Sequence, residues 1–310
     1  MKILLTGDSG FVGQYVKQHV KQHIDIVLLR DANGNKNGNR IDLCDENKLY
    51  SFIALHAIDH VIHLAAQSHV PTSFEDPKRT FEVNFFGTFN LLNALKKAGF
   101  KGKFLYVGSS EVYGLVKEEE LPIIESQLLK PRNPYAVSKV SAEALCYQWS
   151  LSEQFDIVMA RPFNHIGPFQ SDRFVVSSFA KQIMQIKLKI QEPVIDVGDI
   201  YVTRDFTDVR DVVDAYLLLL EKGENSEVYN VCTGVEHSLE CILKELLKIA
   251  QVDASIGTSK NLMRPSEQRR MRGSFQKLKD HTGWSPKIPF HKTLQDILNG
   301  WEKTLCQKEH

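Results

Sequence analysis

An α/β fold is what this sequence predicts: a doubly wound parallel sheet with a smaller domain assembled from discontinuous segments toward the C-terminus. Three observations predict it. Short apolar runs alternate with helical patterns through the first half, a glycine-rich turn joins the first run to the first helix, and after Arg161 the alternation lapses. Strand–helix alternation with mostly apolar strands implies βαβ units whose parallel sheet is covered on both faces.

Taken in order, Ile3 to Thr6, Asp25 to Leu29, His60 to Leu64, Lys103 to Val107 and Ile157 to Arg161 read as strands. Phe11 to Gln22, Glu46 to Leu55, Phe81 to Ala98 and Pro134 to Ser152 read as the helices between them. Pro162, Pro168 and Pro193 then break up the chain, and Gly198-Asp199-Ile200 opens a loop before Arg204-Asp205-Phe206. Asp208 to Leu220 reads as a helix returning to the main sheet, followed by a strand at Val228 to Val231. From Gly234 onward helices and connectors follow without βαβ order. One low-complexity stretch, Asn33 to Asn39, carries Asn-Gly turns and reads as a flexible loop.

Composition narrows the classes of function. With 310 residues, 43% hydrophobic and 25% charged, the chain can bury a large core in one or two domains. Lys plus Arg and Asp plus Glu are both 38, so the basic footprint of a nucleic-acid or anionic-membrane binder is missing. Five scattered cysteines without Cys-x-x-Cys spacing fit reduced thiols of a cytoplasmic protein rather than a disulfide framework or zinc site. The N-terminal apolar run is too short for a signal peptide, and no later run approaches the span of a membrane helix.

The turn Gly7-Asp8-Ser9-Gly10-Phe11-Val12-Gly13 has the spacing G-x-x-G-x-x-G. Its glycines permit a tight turn, and its backbone N–H groups can approach a pyrophosphate at the positive end of the following helix. Alone it is only a glycine turn; between a clean strand and an amphipathic helix it reads as a dinucleotide cradle of Rossmann type. A carboxylate at the end of the second strand would take the ribose diol of NAD, an arginine the 2′-phosphate of NADP. The strand ends Leu29-Arg30-Asp31 and offers both. With Arg30 at the deciding position NADP(H) is preferred, and Asp31 keeps NAD(H) open. The expected division is residues 1–165 with about 200–233 for the dinucleotide, and about 166–199 with 234–310 for the substrate.

Tyr135 and Lys139 fall four apart in Asn133-Pro134-Tyr135-Ala136-Val137-Ser138-Lys139. Proline suits a helix's first turn, and positions i and i+4 share a face, so phenol and ammonium point the same way. A fixed cation nearby is expected to lower the phenol's pKa and make it a usable proton donor or acceptor. Such spacing on its own more often marks a solvated helix face. At the end of the fourth strand stands Val107-Gly108-Ser109-Ser110-Glu111, where an open parallel sheet binds its ligands. Ser109 can there hydrogen-bond a substrate carbonyl.

With these motifs in that order, the chain resembles the extended short-chain dehydrogenase/reductases, and among them the nucleotide-sugar enzymes acting on GDP-4-keto-6-deoxy-D-mannose. The resemblance covers essentially the whole chain. It rests on Gly7/Gly10/Gly13, Leu64 to Val70, Asn84-Phe85-Phe86-Gly87-Thr88, Ser109-Ser110-Glu111, Tyr135/Lys139, Arg161 to His165, Arg204-Asp205-Phe206 and Arg264-Pro265-Ser266-Glu267. It implies that Asp42 and Leu43 border the adenine, that Ser9, Phe11, Val12, Leu64, Ala65, Ala66 and Pro162 line the dinucleotide, and that Asn84 holds the helix near the site. It further implies that Asn164, Arg204 and Arg264 take the substrate diphosphate, with Ser109, Ser110 and Glu111 at the sugar. Phe174, Val175 and Lys181 border the guanine, and Glu267 accepts from a ribose hydroxyl.

The implied reaction is reduction of the C4 ketone to GDP-D-rhamnose, for surface-polysaccharide precursors. Lys139 holds the nicotinamide ribose, Ser109 bonds the carbonyl and Tyr135 protonates the developing alkoxide. A homodimer through the Phe81 and Tyr135 helices is implied as well. One rival is a GDP-mannose 4,6-dehydratase, or a bifunctional enzyme, in which Glu111 would be the base at C5; another is a different nucleotide-sugar 4-ketoreductase or epimerase. A dinucleotide-sensing protein without catalysis is a weaker rival, because the chain keeps both Tyr135 and Lys139. His60 and His63 sit at odd spacing on a strand and so face opposite sides, which argues against a metal site. Lys117-Glu118-Glu119-Glu120 reads as a solvated loop, and Phe81/Phe85/Phe89 as helix packing.

Overall fold

The computed structural model describes residues 1–20, 24–30, 39–259 and 268–307. Its centre is a parallel six-stranded sheet. Five strands come from the first half: β1 (Lys2–Thr6), β2 (Asp25–Leu28), β3 (His60–His63), β4 (Lys103–Val107) and β5 (Asp156–Pro162). Helices α1 (Phe11–His19), α2 (Glu46–Ala54), α3 (Val70–Glu75), α4 (Pro77–Phe81), α5 (Gly87–Lys97) and α6 (Pro134–Ser152) are interleaved with them. The order across the sheet is β2-β1-β3-β4-β5-β9, with the sixth strand β9 at Val228–Val231.

Period-two alternation explains why both faces are covered. Leu4, Val61, Phe104, Tyr106, Ile157 and Met159 point into one apolar cluster with α2, α5 and α6. Their neighbours Ile3, Leu5, Ile62, Leu105, Val158 and Ala160 point into the opposite cluster, with α1 and the later helix α8 (Val209–Lys222). The Asp208 side chain caps α8 by accepting from Arg210 N at 2.8 Å.

Between β5 and the C-terminus lie β6 (Asn164–Ile166), α7 (Val175–Lys187), β7 (Val194–Val197) and β8 (Thr203–Asp208). After β9 come β10 (Glu236–Ser238), α9 (Leu239–Ala250), β11 (Ser255–Thr258), β12 (Arg270–Met271), α10 (Gln276–Thr282) and α11 (Phe290–Cys306). Strand β8 runs parallel to β6 and β12 and antiparallel to β10, while β7 pairs with β11. Helices α7, α9 and α11 enclose a third apolar cluster that includes Phe179, Ile183, Leu243, Leu294 and Phe206.

The structure differs from the sequence expectation in several places. The helix expected over Phe81 to Ala98 is interrupted by a π turn at Glu82–Phe86. After Gly234, three short strands join the helices, because runs of two to four residues carry no readable alternation. The Lys117–Glu120 stretch closes as a one-turn 3₁₀ helix at Glu118–Glu120, and Glu118 pairs with Arg270 at 3.0 Å. No helix among the described residues is long and apolar enough to cross a membrane.

Candidate active site

At the carboxyl end of β1 the chain turns on Gly7, whose φ of +73° is a left-handed value that favours glycine. A Cβ there would lie 2.8 Å from the Ala65 backbone nitrogen, and one on Gly13 would lie 2.3 Å from the Gly7 carbonyl oxygen. Glycine is therefore required where the turn meets the third strand's exit and where α1 packs on the turn. Gly10 caps α1 without a side-chain bond, and no acidic residue occupies the first turn around Phe11 and Val12. The first N–H groups of the helix lack intrahelical acceptors, so this end is a donor set suited to an anion such as a pyrophosphate.

Beside it, Arg30 Nη2 donates to the buried Asp8 carboxylate at 2.6 Å, and Lys17 lies 3.7 Å from the same oxygen. Arg30 and Lys17 thus share the Asp8 carboxylate near the end of β2. Asp31 lies outside the described residues. Asp42 accepts from Cys44 N at 3.0 Å and pairs with Arg79 at 3.5 Å. The Leu43 carbonyl accepts from Asn90 at 2.9 Å. Leu64, Ala65 and Ala66 run half-buried from the end of β3, and Pro162 closes β5 opposite Val231.

Ser109, Tyr135 and Lys139 converge at the ends of β4 and β5. Asn133 caps α6 by accepting from Ala136 N at 2.7 Å, and Pro134 occupies the first turn, which fixes where the helix starts. Tyr135 is 7% exposed. Burial pushes its phenol up to about 12, the Ser109 hydroxyl acts against that rise, and the Glu111 carboxylate adds to it. Lys139 donates instead to the Val107 carbonyl at 2.8 Å and lies 5.2 Å from the centre of the Tyr106 ring. The expectation that Lys139 lowers the tyrosine pKa is corrected accordingly: a strand-end carbonyl takes the ammonium, and desolvation of the phenol dominates.

Burial also brings Lys139 down to about 8, against the opposing pull of Cys146 and Glu143. Its folded pKa therefore lies below the ordinary 10.5. Between about pH 8 and 10.5 the unfolded chain holds a proton that the folded protein has released, so this group makes stability rise with pH across that window. Lys139→Met is expected to remove that part of the slope, read as the difference in urea midpoint between variant and parent at pH 7.5 and about pH 10. Equal slopes in the two proteins would contradict it.

Several residues that sequence reasoning missed support this set. Asn133 Nδ2 also donates to Glu111 at 3.2 Å, so the helix cap fixes that carboxylate. Glu143, one turn beyond Lys139, binds Arg161 twice, at 2.9 and 2.6 Å, and both side chains are buried. Arg161 also donates to the Tyr113 hydroxyl at 2.9 Å, which in turn donates to Asn230 at 2.6 Å. The signal was available in Glu143 at i+4 from Lys139. Asp205 is fully buried and accepts from Thr233 N at 2.9 Å, Thr233 Oγ1 at 2.7 Å, Gly234 N at 2.9 Å and Gly273 N at 3.3 Å.

Of the residues expected at the substrate, Ser110 is buried and Asn164 stands exposed on β6. Arg204 donates to the Thr203 and Arg269 carbonyls at 2.7 and 3.4 Å; burial lowers its pKa, and the Glu111 carboxylate raises it. Phe174 and Val175 are exposed where α7 begins. Lys181 pairs with Asp172 at 2.7 Å in a groove that Gln182 and Asp196 also line. Arg264 and Glu267 lie outside the described residues.

Fold and site together place the chain among the extended short-chain dehydrogenase/reductases, as an oxidoreductase. The family model for GDP-mannose 4,6 dehydratase matches residues 4–297, and the chain belongs to that family. It is 47% identical over 307 residues to GDP-6-deoxy-D-mannose reductase of Pseudomonas aeruginosa, with 99% of both chains covered. It is 30% identical over 327 residues to dTDP-D-glucose 4,6-dehydratase of Mus musculus, covering 97% of this chain and 89% of that one. The solved structure of RMD from Pseudomonas aeruginosa complexed with NADPH matches with a TM-score of 0.91 at 45% identity, covering 98% of this chain and 99% of that one. UDP-glucose 4-epimerase from Thermotoga maritima with UDP-glucose matches with a TM-score of 0.87 at 29% identity, covering 98% of this chain and all of that one.

Proposed function

We propose that the protein reduces the C4 ketone of GDP-4-keto-6-deoxy-D-mannose to GDP-D-rhamnose, taking NADPH in preference to NADH. The observation that carries the reading is the 47% identity over 307 residues to GDP-6-deoxy-D-mannose reductase of Pseudomonas aeruginosa. Reduction of a ketone needs a proton donor at its oxygen, and the Tyr135 phenol, protonated at neutral pH, can serve. The Pseudomonas aeruginosa relative at 47% identity is a reductase, while the mouse dehydratase stands at 30%.

A bound reduced nicotinamide supplies the hydride. Ser109 orients the carbonyl oxygen, and Tyr135 gives that oxygen its proton. Lys139 holds the ribose and keeps a positive charge beneath the site. Charge developing on the oxygen meets donors already in place, where electrostatic stabilisation is most effective. Asn164, Arg204 and Arg264 take the diphosphate, Phe174, Val175 and Lys181 the guanine, and Glu267 a ribose hydroxyl. Residues 1–165 with about 200–233 hold the dinucleotide, alongside Asp42, Leu43 and Asn84; about 166–199 with 234–310 hold the sugar nucleotide. The enzyme acts in the cytoplasm as a homodimer.

The test supplies enzymatically made GDP-4-keto-6-deoxy-D-mannose with NADPH or NADH and identifies the product by NMR. GDP-D-rhamnose is the expected product; the C4 epimer would refute the stereochemistry. Accumulation of a 4-keto sugar from GDP-mannose and NADP⁺ would make the dehydratase reading the right one. Glu111, held by Asn133, is the residue that reading would need. Glu111→Gln is expected to leave the rate of ketone reduction within about threefold, since no proton of the reduction passes through it.

Cofactor choice is tested at Arg30. A charge-assisted bond to the 2′-phosphate is worth about 1.5–3 kcal/mol, so Arg30→Ala is expected to lower the NADPH-over-NADH preference in kcat/KM by about tenfold to hundredfold. An unchanged ratio would move 2′-phosphate recognition elsewhere.

A further inference from the structure

Thr6, His63 and Thr88 are all buried between the main sheet and α5, and the hydrogen bonds through them have a single sense. The Thr88 hydroxyl donates its one proton to the Asn84 carbonyl at 2.7 Å. His63 Nε2, 2.9 Å from the Thr88 oxygen, must then be the donor to it. A neutral ring protonated at Nε2 leaves Nδ1 an acceptor. The Thr6 hydroxyl, 2.7 Å away, donates to Nδ1 while accepting from Ala65 N–H at 3.2 Å. Burial, reinforced by the Lys139 charge, keeps the imidazole neutral by bringing its pKa down to about 3.

Beyond Asn84 the connection continues to the catalytic helix. Asn84 Nδ2 donates to the Ser138 hydroxyl at 2.9 Å, and Ser138 donates to the Tyr135 carbonyl at 2.7 Å. Asn84 also brackets Gln67, accepting from its N–H at 2.8 Å and donating to its carbonyl at 3.0 Å. The π turn at Glu82–Phe86 carries Asn84, and such turns concentrate at functional sites. One end of the connection is Thr6, the residue before Gly7; the other is the residue that gives up the proton.

The geometry points to His63 as a positioning residue: in its Nε2-protonated form it registers the glycine turn, through Thr6, against the Tyr135/Lys139 helix, through Thr88, Asn84 and Ser138. This rests on the reductase reading. The bound dinucleotide is seated by the turn and the proton donor by the helix, so their separation depends on how turn and helix are tied. An apolar side chain at 63 would fill the space but leave Thr6 and Thr88 without a common partner. A misplacement of about 1 Å at a reacting centre can cost about a hundredfold in rate.

Nitrogen NMR of histidine-labelled protein tests the tautomer without turnover. A neutral ring protonated at Nε2 is expected throughout about pH 6 to 8; a ring protonated at Nδ1, or one that titrates in that range, overturns the proposal. Kinetics test the positioning. The unmodified protein must first reduce the keto sugar, and failure there removes the reductase reading while leaving the tautomer result intact. In folded His63→Leu and Thr88→Val, kcat is expected to fall about tenfold to hundredfold, with Kd for NADPH within about threefold. His63→Gln can accept at Oε1 and donate at Nε2, so it is expected to restore most of kcat. A purely structural role would lower Tm and leave kcat per folded molecule unchanged; that result in whichever of these variants folds overturns the proposal.

Discussion

Replacing Tyr135 by phenylalanine is expected to lower kcat for ketone reduction by about 10²–10⁴-fold, the range contributed by a positioned general acid. The phenol is enclosed and protonated up to about 12, so at neutral pH it has a proton to give. Phenylalanine fills the same space and removes only the oxygen, so Tm should change little and NADPH binding should persist. Steady-state NADPH oxidation with the keto sugar reads the loss in kcat. A Tyr135→Phe protein retaining a tenth or more of the parent rate would place the proton donor elsewhere. Ser109→Ala should cost less, since it removes a partner of the oxygen and not the donor itself.

The second large effect concerns stability. Arg161→Met is expected to cost about 3–5 kcal/mol of unfolding free energy, because it strands the Glu143 carboxylate inside the sheet–helix interface. Arg161 also serves the Tyr113 hydroxyl and the Glu125 carbonyl, at 2.9 and 3.0 Å, so its loss leaves three acceptors short of a donor. The double variant Arg161→Met with Glu143→Leu should recover much of the loss, as paired removal of a buried ion pair is often near neutral. Urea unfolding of parent, single and double variants gives the coupling. Additive costs would mean that the two charges do not depend on each other.

Much of the sheet and of the central site was legible because local chemistry and global fold agree there. Pro134 marked the start of α6, and the structure begins the helix at Pro134 and ends it at Ser152, as expected. The strand Val228–Val231 was likewise read with its bounds, because Val228, Tyr229 and Val231 favour a strand and polar turns flank them. The π turn was not legible: Phe81 to Ala98 reads as one uninterrupted helix, and an inserted residue leaves no trace in a 3.6-residue period. Strands of two or three residues, such as Arg270–Met271, take their conformation from their partner strand and not from their own sequence.

Side-chain electrostatics escaped for a related reason. Spacing placed Tyr135 and Lys139 on one face, but only the position of the Val107 carbonyl decides where the ammonium goes. In the same way His63 was correctly read as facing away from His60, yet its two hydroxyl partners lie 57 and 25 residues away in sequence. Asp205 gave no sign in the sequence that its carboxylate would be fully buried.

That carboxylate has a consequence in time as well as in space. A chain leaving the ribosome N-terminus first can pair β1 to β5 as soon as Pro162 has emerged, since those five strands are neighbours in the sheet. Asp205 is made some forty residues later and receives its last donor only when Gly273 arrives, 68 positions further on. Throughout that interval a buried-site carboxylate is solvated and the smaller sheet is unfinished. Synthesis that halts after β9 and before Gly273 therefore leaves the six-stranded sheet complete beside an unfinished smaller sheet, where a protease is expected to cut.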